Sequence, residues 1–108
     1  MPICKLYTSI KEAELKDGIE LRIASAVAGI LGKPLDLMTV LVFPGMRMIS
    51  QSGLAPSCLL EITAINVFDK QKNRTYDQPL KQMLLQELGL PGERCMIHYI
   101  DLDPDFKV

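Results

Sequence analysis

The sequence has 108 residues, of which 48% are hydrophobic and 23% are charged, so it can build the core of a single folded domain. Its formal net charge is −1 and its basic and acidic residues are interspersed, which argues against a nucleic-acid-binding protein and a polybasic membrane surface. It contains no apolar run of the roughly 18 residues that a membrane span needs, and no recognisable leader, which predicts a cytoplasmic location.

The first half of the sequence predicts a strand, a helix and a second strand. An apolar run at 3–8 predicts the first strand. Asp17 is the predicted N-cap of the first helix, and Gly32 is its predicted stop. A second apolar run at 37–43 predicts the next strand. Between these limits, apolar residues recur at three- and four-residue spacing, which is typical of one helix face: Leu15, Ile19, Ile23, Ala26, Val27, Ile30 and Leu31.

The second half predicts the same order of elements. A loop at 44–57, with a short strand considered at 46–49, precedes a third strand at 58–67. We interpret 68–76 as a polar turn before the second helix. Pro79 must then lie in the first turn of that helix or kink it. The helix face is predicted to carry Leu80, Met83, Leu84 and Leu88, with Gly89 as the stop and a fourth strand at 95–102.

An internal repeat links the two halves. Leu-Gly-Lys-Pro at 31–34 resembles Leu-Gly-Leu-Pro at 88–91, and the same offset brings the first strand onto the third. The repeat predicts one α/β (α+β) domain over 1–108, with halves at about 2–57 and 58–108. Each half is a βαβ unit, and both helices cover one face of a four-stranded sheet. The apolar back of this sheet predicts a homo-oligomer, although a ferredoxin-like monomer has the same elements.

The three cysteines and the single histidine limit metal and disulfide chemistry. Cys4, Cys58 and Cys95 lie in apolar, strand-like runs, and no two of them form a CxxC pair. This pattern predicts reduced core thiols and argues against disulfides and zinc ligands. A multi-histidine metal site is excluded because His98 is the only histidine.

Pro2 is the first candidate for chemistry. Removal of Met1 would leave a secondary amine at the head of a core strand, and burial or a nearby cation lowers the pKa of such an amine. A free amine near neutral pH is a usable general base. The alternative is that Pro2 simply precedes a strand, where its missing N–H has no cost.

Two further side chains are candidates with ordinary alternatives. Lys33 could bind a substrate carboxylate at the head of the first strand. The alternative is that it is only a cation placed near the C-terminus of the first helix, where the helix dipole stabilises positive charge. His98 alternates with Met96 and Ile100 along the fourth strand, where a lone histidine is more often structural than a ligand. Asp101 and Asp103 are interpreted as a solvated strand end.

Several short motifs occur in a recognisable order. A Met-Pro-hydrophobic start at 1–3 is followed by Leu-Gly-Lys-Pro at 31–34 and by Asn-Arg-Thr-Tyr at 73–76. In this order the chain resembles the macrophage migration inhibitory factor and D-dopachrome tautomerase family from Pro2 to about Asp101. The remaining parts of the pattern are Pro56, Cys58, the strand ending at Ile65, and 94–101.

The resemblance implies a tautomerase fold in which three subunits form a barrel-like core. It also implies cofactor-independent keto–enol tautomerisation of aryl α-keto acids such as phenylpyruvate, or of dopachrome-like compounds. Pro2 would be the base, Lys33 would hold the substrate anion, Ile65 would form a wall, and His98 would contact substrate. The alternative within the family is a non-catalytic, cytokine-like protein that acts through a protein receptor and leaves cells without a signal peptide. A ferredoxin-like binding module is the third reading.

The sequence also departs from the family pattern. The family's tyrosine and asparagine on the fourth strand correspond here to Met96 and His98, and a glycine corresponds to Asn66. The loss of the aromatic ring predicts weaker stacking on an aryl substrate. The family's CxxC is reduced to Cys58 alone, so no thiol–disulfide activity is implied. The usual tryptophan- and glycine-containing C-terminal segment is not found before Val108, which predicts a weaker trimer and a weaker enzyme.

Overall fold

A computed structural model describes residues 2–106, so the predicted removal of Met1 lies outside the described residues. Four strands and two helices alternate as two βαβ units. The strands are β1 (Ile3–Thr8), β2 (Thr39–Phe43), β3 (Cys58–Ala64) and β4 (Cys95–Asp101), and the helices are α1 (Ile19–Leu31) and α2 (Lys70–Leu88).

The strands form one mixed sheet in the order β2-β1-β3-β4. β1 is parallel to β2, β3 is parallel to β4, and the two βαβ units join through the antiparallel pair β1–β3. The predicted fold class is therefore confirmed. Within the described chain, β2 and β4 are each paired on one side only, so the sheet has two open edges.

The core lies between one face of the sheet and the two helices. Alternate residues of the central strands point into it because successive side chains of a strand face opposite sides. Leu6, Leu60 and Ile62 are fully buried there. The helices complete the core with side chains at three- and four-residue spacing: Ile23 and Val27 from α1, and Leu80, Met83 and Leu84 from α2.

The opposite face of the sheet is open in the single chain. Its apolar side chains are partly exposed: Leu41 at 38%, Met96 at 50% and Ile100 at 42%. A polar row crosses its middle, because Lys5 is in register with Glu61 and Glu61 with His98. None of the described helices is long and apolar enough to cross a membrane.

The start of α1 differs from the predicted start. Asp17 does not cap the helix, because Gly18 occupies the N-cap position with φ of 71° and no side chain accepts a hydrogen bond there. Such a left-handed conformation favours glycine. The predicted end is correct: Gly32 is left-handed, and its N–H donates to the Ala28 carbonyl.

The start of α2 was also predicted wrongly. The segment 68–76 is not a turn, because α2 begins at Lys70 and the Asp69 carboxylate accepts a hydrogen bond from the Lys72 N–H at 2.7 Å. Pro79 therefore lies inside the helix, well beyond its first turn. The first half of α2 is polar and lacks the apolar spacing that would have identified it as helical.

Two strand predictions were too generous. β3 ends at Ala64, before Ile65 and Asn66, whose positive φ of 57° bends the chain. The segment 46–49 forms no strand in the structure, and the nearest pairing is a single bridge between Ser50 and Gly53.

Candidate active site

Pro2 is fully buried at the head of β1. Its carbonyl accepts a hydrogen bond from the Thr39 N–H at 3.1 Å, which ties it to the first residue of β2. On the other side, the register that pairs Ile3 with Thr63 brings Pro2 level with Ala64 at the end of β3. The two neighbouring strands therefore hold Pro2 in place.

Lys33 lies at the same end of the sheet as Pro2. In a βαβ unit the helix runs back along the sheet, so the C-terminus of α1 returns to the end of the sheet where β1 and β2 begin. Lys33 follows Gly32, and its backbone N–H donates to the Ala28 carbonyl at 2.9 Å. The Lys33 side chain is half-buried. Lys33 and the buried Pro2 therefore lie at the same end of the sheet.

Ile65 also lies at this end of the sheet, because it directly follows β3, which is antiparallel to β1. Its side chain is half-buried, and the next residue, Asn66, has a φ of 57°. Asparagine tolerates this left-handed conformation better than most non-glycine residues. It can therefore stand where the resembled family has glycine.

Asp101 anchors the turn after β3, a role that the sequence did not reveal. The Asn66 N–H donates to Asp101 Oδ1 at 3.3 Å, and the Leu102 N–H donates to the Ala64 carbonyl at 2.8 Å. These bonds fix the chain that carries Ile65. Asp101 resembled a solvated strand end because its partner lies 35 residues away in sequence.

His98 does not lie with the other three candidates in the single chain. It is exposed on the open face of β4, level with Glu61 and Lys5. Lys5 is three residues along β1 from Pro2, and β4 is two strands away. His98 is therefore about 10 Å from Pro2 along the strands and about 10 Å across them.

Two concave surfaces of the single chain lie away from Pro2. A groove of about 900 Å³ between α1 and α2 is lined by Ala26, Ile30 and Met83, among others. A smaller cavity of about 210 Å³ lies near Val42, at the other end of the sheet, where β1 and β2 finish. Among residues 2–106, no group of three or more histidines, cysteines or carboxylates is arranged to hold a metal ion.

Solved structures share this fold. The macrophage migration inhibitory factor of Trichinella spiralis superposes with a TM-score of 0.92 at 24% identity, covering 98% of this chain and 94% of that one. A homologue from Prochlorococcus marinus superposes with a TM-score of 0.86 at 20% identity, covering 98% and 93% of the two chains. At these identities the likeness concerns the fold.

Sequence comparisons identify the family. D-dopachrome decarboxylase of Mus musculus is 31% identical over 104 residues, covering 95% of this chain and 88% of the relative. The protein of the same name from Gallus gallus is 33% identical over 105 residues, covering 96% and 89%. The family profile described as macrophage migration inhibitory factor (MIF) matches residues 1–106. The chain therefore belongs to the macrophage migration inhibitory factor family.

Proposed function

We propose that the protein is a cofactor-independent keto–enol tautomerase of aryl α-keto acids, for which phenylpyruvate is a convenient representative. Dopachrome-like compounds are the related substrate class. The observation that carries the proposal is the complete burial of Pro2 at the head of β1, in a chain of this family. Relatives named D-dopachrome decarboxylase support the dopachrome-like substrate class.

Pro2 acts as the general base once Met1 has been removed. Its secondary amine takes a proton from the carbon next to the substrate carbonyl, and the electrons of the C–H bond form the enol double bond. The proton is then delivered to the carbonyl oxygen, so the substrate is isomerised with no net gain or loss of atoms. With Met1 retained, the same nitrogen is an amide and cannot accept the proton.

Lys33 and Ile65 bind the substrate. The Lys33 ammonium pairs with the carboxylate, and it stabilises the negative charge that develops on the oxygen during proton removal. Ile65 forms a wall beside the aryl group and offers a backbone group to the substrate. Both residues lie at the same end of the sheet as Pro2, which supports these roles.

The pocket is completed by neighbouring subunits of a homotrimer. The open sheet face, with Met96 and Ile100 partly exposed, supports assembly because apolar surface of this kind is usually covered. His98 lies far from Pro2 of its own chain, so its proposed contact with substrate requires Pro2 of another copy.

A non-catalytic role as a cytokine-like interaction protein is the second candidate. Met96 favours it, because this side chain stands where the family pattern has a tyrosine and is 50% exposed on the open face. For this role the cytoplasmic location, the export without a signal peptide and the binding of a protein receptor all stay predictions.

The decisive assay measures phenylpyruvate tautomerisation with protein whose intact mass shows that Met1 is absent. Insertion of one alanine before Pro2 should lower kcat/KM by at least about 100-fold, because general-base catalysis contributes that much or more. Lys33→Ala should lower kcat/KM by at least about 10-fold, because it removes a charge-assisted hydrogen bond from the substrate and from the charge that develops during proton removal. Lys11→Ala is the matched control, since Lys11 is exposed beyond the other end of β1.

Two outcomes would overturn the proposal. Unchanged activity in both the insertion and the Lys33→Ala variants would rule out this site. No measurable rate with a folded, Met1-free oligomer would favour the interaction-protein role.

A further inference from the structure

Cys58 and Cys95 face each other across two neighbouring strands. They are the first residues of β3 and β4, and the parallel register pairs them directly. In-register side chains point to the same side of a sheet, here toward the helices. Adjacent strands lie about 4.8 Å apart, within the range of about 4.4–6.8 Å that separates the Cα atoms of disulfide-bonded cysteines.

The two thiols are neighbours across the β3–β4 pair. The pKa of each thiol is shifted by a hydrogen bond with the other, which indicates that the two side chains lie within reach of each other, and the Cys95 thiol donates to the Pro91 carbonyl at 3.5 Å. Both are free thiols. The register therefore places the two side chains on one face of the sheet at a backbone spacing that a disulfide can bridge.

The surroundings make the two thiols unequal. Cys95 is partly exposed, and the hydrogen bond from Cys58 and the nearby Lys81 ammonium lower its pKa. Cys58 is only 2% exposed, and the hydrogen bond to Cys95 together with burial raises its pKa. Cys95 is thus the thiol that an oxidant reaches first, since the thiolate is the reactive form.

We propose that Cys58 and Cys95 form an oxidisable thiol pair that closes reversibly into an intrachain disulfide on reaction with a hydroperoxide. The Cys95 thiolate attacks one peroxide oxygen, the O–O bond breaks, and the leaving hydroxide takes up a proton to become water. Cys95 is thereby oxidised to a sulfenic acid. Cys58 then loses its proton and attacks the Cys95 sulfur, and the displaced hydroxide leaves as a second water. With hydrogen peroxide, two thiols give one disulfide and two waters.

Cys4 provides an internal comparison. It is fully buried, and burial raises its pKa to about 12. Its in-register neighbours are Val40 and Ile62, neither of which carries a sulfur. Cys4 should therefore stay reduced under conditions that oxidise the pair.

The test treats the folded, full-length protein with a small excess of hydrogen peroxide and follows intact mass and peptide maps without reductant. We expect each chain to lose two hydrogen atoms, peptides containing Cys58 and Cys95 to be joined, and dithiothreitol to reverse the change. The variant Cys4→Ala should behave like the wild type.

Single substitutions of the pair separate its two steps. In Cys58→Ser, Cys95 should be trapped as a sulfenic acid by dimedone, whereas Cys95→Ser should react far more slowly. Oxidation of the wild type that is confined to Cys4, that joins different chains, or that adds oxygen without a loss of hydrogen would overturn the proposal. So would an absence of reaction under conditions that oxidise a free model thiol.

Discussion

Thr8 shows how one hydroxyl can connect distant parts of this chain. It is fully buried at the end of β1, and its Oγ1 donates to the Ser57 carbonyl at 2.9 Å. The same oxygen accepts a hydrogen bond from the Ile10 N–H at 3.2 Å. A buried polar group is tolerated when it is satisfied in this way. The hydroxyl therefore ties β1 to the segment that enters β3.

Thr8→Val should lower the free energy of unfolding by about 1–3 kcal/mol. It leaves the Ile10 N–H without its partner and leaves the buried Ser57 carbonyl with only the Ser9 N–H, at 3.2 Å, while it keeps the side-chain shape. Urea denaturation checks this. Thr39→Val is the control, since Thr39 is exposed and its side chain makes no hydrogen bond in the described structure. Equal stability of the two variants would contradict the role of the Thr8 hydroxyl.

The residues of the candidate site differ in how far the sequence could identify them. Pro2 and Lys33 were found because a terminal proline and a Gly-Lys-Pro segment are local patterns. Asp101 was missed because its hydrogen bond to the Asn66 N–H depends on the pairing of β3 with β4. The separation of His98 from Pro2 likewise follows from strand order, which no local pattern encodes.

The two helices begin in different ways, although an aspartate precedes each of them. Asp69 accepts a hydrogen bond from the Lys72 N–H and caps α2. Asp17 makes no such bond, because the left-handed Gly18 stands between it and α1. The same residue type near a helix start therefore stabilises one helix only.

Asp69→Ala should cost about 1 kcal/mol of unfolding free energy, the usual value of a lost N-cap. Asp17→Ala should change the stability by less than about 0.5 kcal/mol, as for an ordinary surface substitution. Thermal or urea unfolding of both variants tests the pair. A larger loss for Asp17→Ala would reverse the assignment of the caps.

Helices and strands were predictable here to the extent that their apolar residues are periodic or form a run. β1 is an apolar run and was located correctly, and the period of α1 gave its correct end but placed its N-cap one residue too early. The first half of α2 is polar and Pro79 suggested a helix start, so the sequence alone shortened this helix. Its true start depends on the Asp69 cap and on tertiary contacts of the second half, which stabilise a helix more than propensity does.

The whole chain has one covered and one open sheet face, which is the basis for the proposed trimer. The helices cover the inner face, while Leu41, Met96 and Ile100 remain partly exposed on the outer one. The polar row of Lys5, Glu61 and His98 keeps the middle of this face hydrophilic.

Sedimentation or light scattering should therefore give a mass of three chains for the wild type. Ile100→Glu should shift the mass toward that of one chain, because it places a charge on the face that becomes covered. Leu21→Glu should leave the mass unchanged, since Leu21 is 63% exposed on the outer side of α1. A monomeric wild type would contradict the proposed assembly.

The two open edges of the sheet have a consequence for how the protein must be made. Among residues 2–106, β2 and β4 each have one side without a paired strand, and such edges are templates for pairing with other chains. In a newly synthesised subunit, association with native partners therefore competes with incorrect association through these strands. Dilution slows both processes, so the refolding yield should depend on how quickly native partners meet.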